Sequence, residues 1–248
     1  MSEMNELAAS QPPRRLLVVS AHAADFVWRA AGAIAVVTAN GGAATVVALS
    51  YGERGESGEL WKIPGQTIEN VKRIRHEEAA RAADALGASF QSLDLGDYPL
   101  DVDHDGLMRL TEVIREFAPD AIVTHTDEDP FNPDHPVANV VSKRARLLAS
   151  GAGVASGFRT IKPPALYLFE PHQPELCNFT PNTFVDITAV YEKKQAAMEA
   201  MAAQKYLQIY YAQRAEQRAN HARRVSGDSS IRYAEAFERV LPQVVSSL

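Results

Sequence analysis

Residues 16–35, LLVVSAHAADFVWRAAGAIA, constrain the fold more than any other stretch of this chain. Leu16 to Ser20 is an apolar, β-branched run, which reads as a buried strand of a parallel sheet. Ala21-His22-Ala23-Ala24-Asp25 then leads into a helical pattern with Phe26, Ala30, Ala33, Ile34 and Val37 on one face. Strand, short turn and helix set His22 and Asp25 at the carboxyl end of a strand, where open α/β sheets hold their ligands. Side chains three residues apart at a helix start can face one point. An imidazole nitrogen and a carboxylate oxygen meeting there can hold a transition metal. The same pair can also do no more than cap a helix.

The other half of the pattern lies over a hundred residues downstream. Ala121 to Thr124 is a second short apolar strand, running into His125-Thr-Asp127-Glu-Asp129-Pro-Phe-Asn132-Pro-Asp134-His135. His135 opens a helix expected over Pro136 to Leu148. Two His and one Asp make a three-ligand site with open positions, the pattern of a catalytic rather than a structural metal. At these residues the chain resembles the PIG-L or LmbE-like metal-dependent N-deacetylases, whose signatures are a strand followed by His-Pro-Asp-Asp-Glu and, later, His-Pro-Asp-His. Further matches are Arg75-x-x-Glu78 with Leu86-Gly87, Phe184-Val-Asp186-Ile, Lys194, Gln204 and Tyr233-Ala-Glu-Ala-Phe237. The resemblance implies an α/β fold, a Rossmann-like and mostly parallel sheet flanked by helices. It also implies His22, Asp25 and His135 as ligands, usually of zinc, although Fe(II) or another divalent metal also suits two His and one Asp.

Two departures from the family pattern bear on the reaction. Ala24 stands where the deacetylases carry their general base, the first Asp of Asp-Asp, and Asn132 stands where they carry the first His of His-Pro-Asp-His. Amide hydrolysis needs a base for water and a partner for the oxyanion. Both groups are gone while all three ligands remain, which points to a changed reaction. Within the family, SAHAADFVWRAAGAIA resembles the branch of 4-oxalomesaconate (4-carboxy-2-hydroxymuconate) hydratases of gallate and protocatechuate breakdown. That branch implies a small unsaturated oxo-tricarboxylate as substrate.

Composition narrows the alternatives. At 248 residues and 46% hydrophobic, the chain can bury one sizeable core, expected as a single domain over 14–248 after a loose polar tail over 1–13. The net charge of -6 argues against nucleic acid as a partner, without excluding an acidic substrate met by a local Arg/Lys cluster. Cys177 is the only cysteine, so no intrachain disulfide forms. No apolar run suits a membrane span and the first residues lack a signal-peptide pattern, so a cytoplasmic enzyme is expected. A homo-oligomer stays open.

The remaining candidates sit beyond strand ends. In the loop Tyr51 to Glu59, Glu53 follows Gly52 directly and is the acid expected to lean over the metal, while Glu56 and Glu59 read as a solvated turn. Arg75, in a helix from Thr67 to Leu86, aligns with a family arginine that reaches substrate, although an i,i+3 ion pair with Glu78 would also account for it. Asp97 matches a family acid near the site. His172 follows the strand Ala165 to Phe169 and reads equally as a proton donor or a surface histidine. One helix is expected from Ala189 to about Arg218 and another from Ser230 to Val240. The resulting function is a metal-dependent hydratase with Glu53 and His172 as base and acid, and with Arg75, Asn132 and Asp97 toward substrate. A deacetylase or amidase using Glu53, or a non-catalytic metal-binding protein, would share the same ligands.

Overall fold

A computed structural model describes residues 14–244. The expected tail over 1–13 lies outside the described residues. Strands β1 (Arg15–Ser20), β2 (Ala43–Ala48), β3 (Ser89–Ser92), β4 (Ala121–Thr124), β5 (Ala165–Phe169), β6 (Thr183–Asp186) and β7 (Ala234–Arg239) share one sheet in the order β3-β2-β1-β4-β5-β7-β6. The first five strands pair in parallel, and β7 runs antiparallel to both β5 and β6. Helices α1 (Asp25–Ala39), α2 (Gly58–Trp61), α3 (Ile68–Ala85), α4 (His104–Phe117), α5 (Asp134–Ala149), α6 (Tyr191–Glu199) and α7 (Gln208–Ser226) flank it.

The side-chain alternation of β1 builds both halves of the core. Leu16 and Val18 pack with Phe26, Ile34, Ala79 and Ala197 on the face covered by α1, α3 and α6. Leu17 and Val19 pack with Leu110, Ile114 and Val141 of α4 and α5 on the other. Burying each such side chain is worth about 1.5–3 kcal/mol, so a strand apolar on both faces is held at the sheet centre. The strand order reverses direction between β1 and β4, which opens a crevice at their carboxyl ends. Among the described residues, no helix is long and apolar enough to cross a membrane.

Two expected helices fold differently. Ser230 to Val240 contains β7, because pairing with β5 and β6 outweighs the helical preference of Ala and Glu. Glu235 of β7 accepts the backbone N–H groups of Gly32 and Ala33 in α1, at 2.9 and 2.8 Å, and meets Lys194 Nζ at 2.6 Å. Lys194 in turn donates to the Trp28 carbonyl, so this buried pair is satisfied on the backbone of α1. The single helix expected over 189–218 is two, α6 and α7, joined by a 3-10 stretch, Ala202–Leu207, in which Gln204 is non-helical at φ -129° and ψ 30°. No Gly or Pro marks this break in the sequence. It is fixed by distant partners: the Ala203 N–H donates to Glu78 Oε1 at 2.9 Å.

Candidate metal and active site

His22, Asp25 and His135 bring one ligand atom each to within 4.8 Å of one another, all buried, in the β1/β4 crevice. His22 lies in the turn after β1, Asp25 opens α1, and His135 lies in the first turn of α5. His22 Nδ1 and His135 Nε2 have no hydrogen-bond partner, an arrangement that buried imidazole nitrogens avoid unless something else binds there. They lie 3.5 and 3.6 Å from Asp25 Oδ2 and Oδ1. The opposite ring nitrogens are both held by carboxylates, His22 Nε2 by Asp134 at 3.2 Å and His135 Nδ1 by Asp129 at 2.7 Å. Carboxylates placed in this way fix which imidazole nitrogen faces a metal. The donor set and the orphaned atoms fit a divalent transition metal.

The electrostatics point the same way. Burial disfavours a charge on His22, but Asp134, Asp25 and Glu56 outweigh it and raise its pKa to about 10. Burial likewise opposes charge on Asp134, yet the His22 imidazole and the N–H groups of Leu100 and Tyr98 bring it down to about 2. This pocket calls for a cation. A second grouping, His22 with Asp97 and Asp134, is a weaker candidate, because Asp97 and Asp134 each accept two backbone N–H groups, against one for Asp25.

The acid beside the ligands is Glu56, not Glu53. Glu56 Oε1 lies 3.9 Å from His22 Nδ1 and accepts from Asn132 Nδ2 at 2.8 Å, while Oε2 accepts from Gln204 Nε2 at 2.7 Å. Glu53 is fully buried, with one oxygen on the Tyr51 N–H at 3.2 Å and the other 3.7 Å from Lys72 Nζ. The path of the loop decides between them. Gly52, at φ +71°, sits so close to the site that a Cβ there would lie 2.8 Å from Glu56 Cβ and 3.2 Å from His22 Cβ. Ser57 Oγ then closes the turn onto the Gly52 carbonyl at 2.7 Å. No spacing rule in the sequence distinguishes the two acids.

Other expected contacts are redistributed. Asp97 spends its carboxylate on the N–H groups of Arg54 and Gly55, at 2.9 and 2.7 Å, so it braces the loop that carries Glu56. Arg75 is fully buried, donating to Glu78 Oε2 at 2.7 Å and Gln204 Oε1 at 3.1 Å, which leaves it behind the site. Asn132 does reach the site, through Glu56. His172 is half-buried and stacks on Tyr210 at 4.0 Å between centroids. Burial, with the positive charges of Arg29 and Arg214, lowers its pKa below 6.5. Sequence reasoning gave no role to Arg29 or His125. Arg29 Nη1 lies 3.4 Å from Asp25 Oδ1 and 3.1 Å from His125 Nδ1. The ring of His125 stacks on His135 at 4.0 Å. Arg29 follows Asp25 by one helical turn, and that spacing was the available signal.

Comparison with known proteins gives the family and the fold. The PIG-L family profile, described as GlcNAc-PI de-N-acetylase, matches residues 17–145. The chain is 47% identical over 240 residues to the 4-oxalmesaconate hydratase of Pseudomonas putida strain KT2440, covering 96% of this chain and 93% of that one. It is 30% identical to a 1D-myo-inositol 2-acetamido-2-deoxy-alpha-D-glucopyranoside deacetylase of Salinispora arenicola over 58% of this chain and 54% of that one. The crystal structure of the 4-carboxy-2-hydroxymuconate hydratase of P. putida KT2440 superposes with a TM-score of 0.92 at 47% identity, covering 95% of this chain and 99% of that one. The N,N'-diacetylchitobiose deacetylase of Pyrococcus horikoshii shares the fold alone, with a TM-score of 0.74 at 19% identity, 95% of this chain and 90% of that one.

Proposed function

The chain belongs to the PIG-L family, and on that premise we propose that it is a metal-dependent hydratase acting on 4-oxalomesaconate (4-carboxy-2-hydroxymuconate). The product is 4-carboxy-4-hydroxy-2-oxoadipate, and the expected setting is the cytoplasmic breakdown of gallate and protocatechuate. The observation that carries the reading is Glu56. Its carboxylate stands beside the His22–Asp25–His135 point, held by two amide donors, while Ala24 occupies the position of the deacetylase base. A base for water is therefore present, supplied from a different element, in a chain 47% identical to a hydratase.

His22, Asp25 and His135 would hold the metal, with zinc the first choice. Bound there, it would supply Lewis acidity toward developing negative charge and lower the pKa of water. In our reading Glu56 takes one proton from water as the hydroxyl joins the fully substituted carbon of the C=C bond. His172 delivers a proton to the neighbouring carbon, and Glu56 passes its proton back through solvent, so one water is added in all. Arg29 and Arg214 flank His172, and each is matched by a protein carboxylate, Arg29 by Asp25 at 3.4 Å and Arg214 by Glu170 at 2.5 Å.

The test is to load the purified protein with zinc or Fe(II) and supply either 4-oxalomesaconate or an N-acetylglucosaminyl inositol. Hydration should consume the conjugated acid with no acetate released from the amide. Robust acetate release without hydration would replace this reading with a deacetylase.

A further inference from the structure

The carboxylate of Glu56 is gripped by two side-chain amides whose orientation is not free. Asn132 Oδ1 accepts the Asp134 N–H at 3.2 Å, so its NH₂ group must turn to Glu56 Oε1. Gln204 Oε1 accepts from Trp28 Nε1 at 3.2 Å and Arg75 Nη2 at 3.1 Å. Indole and guanidinium groups only donate, so the Gln204 NH₂ group must face Glu56 Oε2, which it meets at 2.7 Å. Glu56 thus receives one fixed donor on each oxygen.

The Gln204 end of this clamp is anchored from two elements. Trp28 comes from α1 and Arg75 from α3. Glu78, one turn after Arg75, holds Arg75 Nη1 with one oxygen and the Ala203 N–H with the other. The non-helical backbone at Gln204 is therefore pinned one residue away from the amide that touches Glu56. Gln204 and Arg75 are both buried, so neither is placed to pair with a substrate carboxylate.

We propose that Gln204 is a positioning residue for Glu56: with Arg75 and Trp28 behind it, it sets the direction in which the Glu56 carboxylate faces the reacting water. This rests on the hydratase reading above and assigns a task to the buried Arg75–Glu78 pair, namely to hold the clamp and not the substrate. A misplacement of about 1 Å is enough to cost about a hundredfold in rate, whereas substrate binding is left alone.

Two substitutions test it. Gln204→Met keeps the length and removes the hydrogen bonds. Gln204→Glu keeps acceptors for Trp28 and Arg75 but presents an oxygen to Glu56, so the fold is anchored while the clamp is reversed. In mildly alkaline buffer both should lower kcat by about 10–100-fold, with KM and bound zinc unchanged. In a Glu56→Gln background the same changes should cost less than about twofold, because a positioning role vanishes with the group positioned. A crystal structure of the zinc-loaded Gln204→Met protein should show the Glu56 carboxylate turned away from its native direction. Equal losses in both backgrounds, loss of zinc, wild-type kcat in both variants or an unmoved Glu56 would each overturn the proposal. A wild-type protein unable to hydrate would overturn the hydratase reading instead, while the Glu56 position in the variant structure still judges Gln204.

Discussion

Glu53 and Glu56 lie one short turn apart in chain and occupy different electrostatic worlds. Glu53 is buried without a path to substrate, and burial together with nearby Asp97 raises its pKa. Glu56 is partly open to the site and grasped on both oxygens. Glu56→Gln should therefore lower kcat by about 10²–10⁴-fold, the usual worth of a placed acid–base group. Glu53→Gln should change kcat far less, and steady-state kinetics on the two variants checks the assignment. His172 offers a pH test. Burial, Arg29 and Arg214 disfavour its charged form, so its ring should titrate below 6.5 when followed by NMR in the free protein. The protonated form is lost as pH rises through that lowered value. If His172 delivers the proton, kcat/KM falls over the same interval and the limb disappears in His172→Ala. The residues readable in advance were His22 and Asp25, which follow a strand end, and His135, singled out by the family motif. Glu56 was missed because its place depends on a loop path set by Gly52 and the backbone bonds of Asp97, and Asp129 and Asp134 because they are held by the N–H groups of Phe131 and Asn132 and of Tyr98 and Leu100.

At the scale of elements, α1 carries more of the site than its length suggests. It presents Asp25 and Arg29 to the site and Trp28 to Gln204, while its backbone is clamped by Glu235 and Lys194. Gly32 is where that clamp closes. A Cβ there would meet Ile187 Cγ2 at 2.6 Å and the Glu235 carboxyl carbon at 3.0 Å. Gly32→Ala should cost about 1–3 kcal/mol through overpacking, in spite of the better helix propensity of Ala, and urea denaturation measures it. Elements with internal periodicity, such as α3 and α5, were legible from the sequence to within a residue or two. β7 and the break at Gln204 were not, since each is imposed by groups far along the chain: Glu235 by α1 and α6, Ala203 and Gln204 by α3 and the Glu56 loop.

For the whole molecule, metal and fold should be thermodynamically linked. Three ligands drawn from β1/α1 and α5 meet only in the folded chain, so a metal held there stabilises the native state by mass action. At free metal about 100-fold above Kd the gain is about 2.7 kcal/mol, seen as a higher Tm that chelation reverses. His135→Ala should abolish that shift while leaving the metal-free Tm largely intact, because the apolar faces of β1 and not the ligands hold the sheet. A Tm indifferent to zinc and Fe(II) would remove the metal from the account. The sequence by itself determined the parallel sheet and the crevice at the β1 and β4 ends, because each follows from short apolar runs; with the family resemblance it also singled out His22, Asp25 and His135, whose donor atoms the fold brings together. Only the tertiary structure decided which acid faces the site, that Arg75 stands behind Gln204, and that Asp97 braces a loop. Those outcomes depend on contacts between residues 36 to 148 positions apart, such as Asp134 with Tyr98 and Gln204 with Glu56, and no local pattern encodes them.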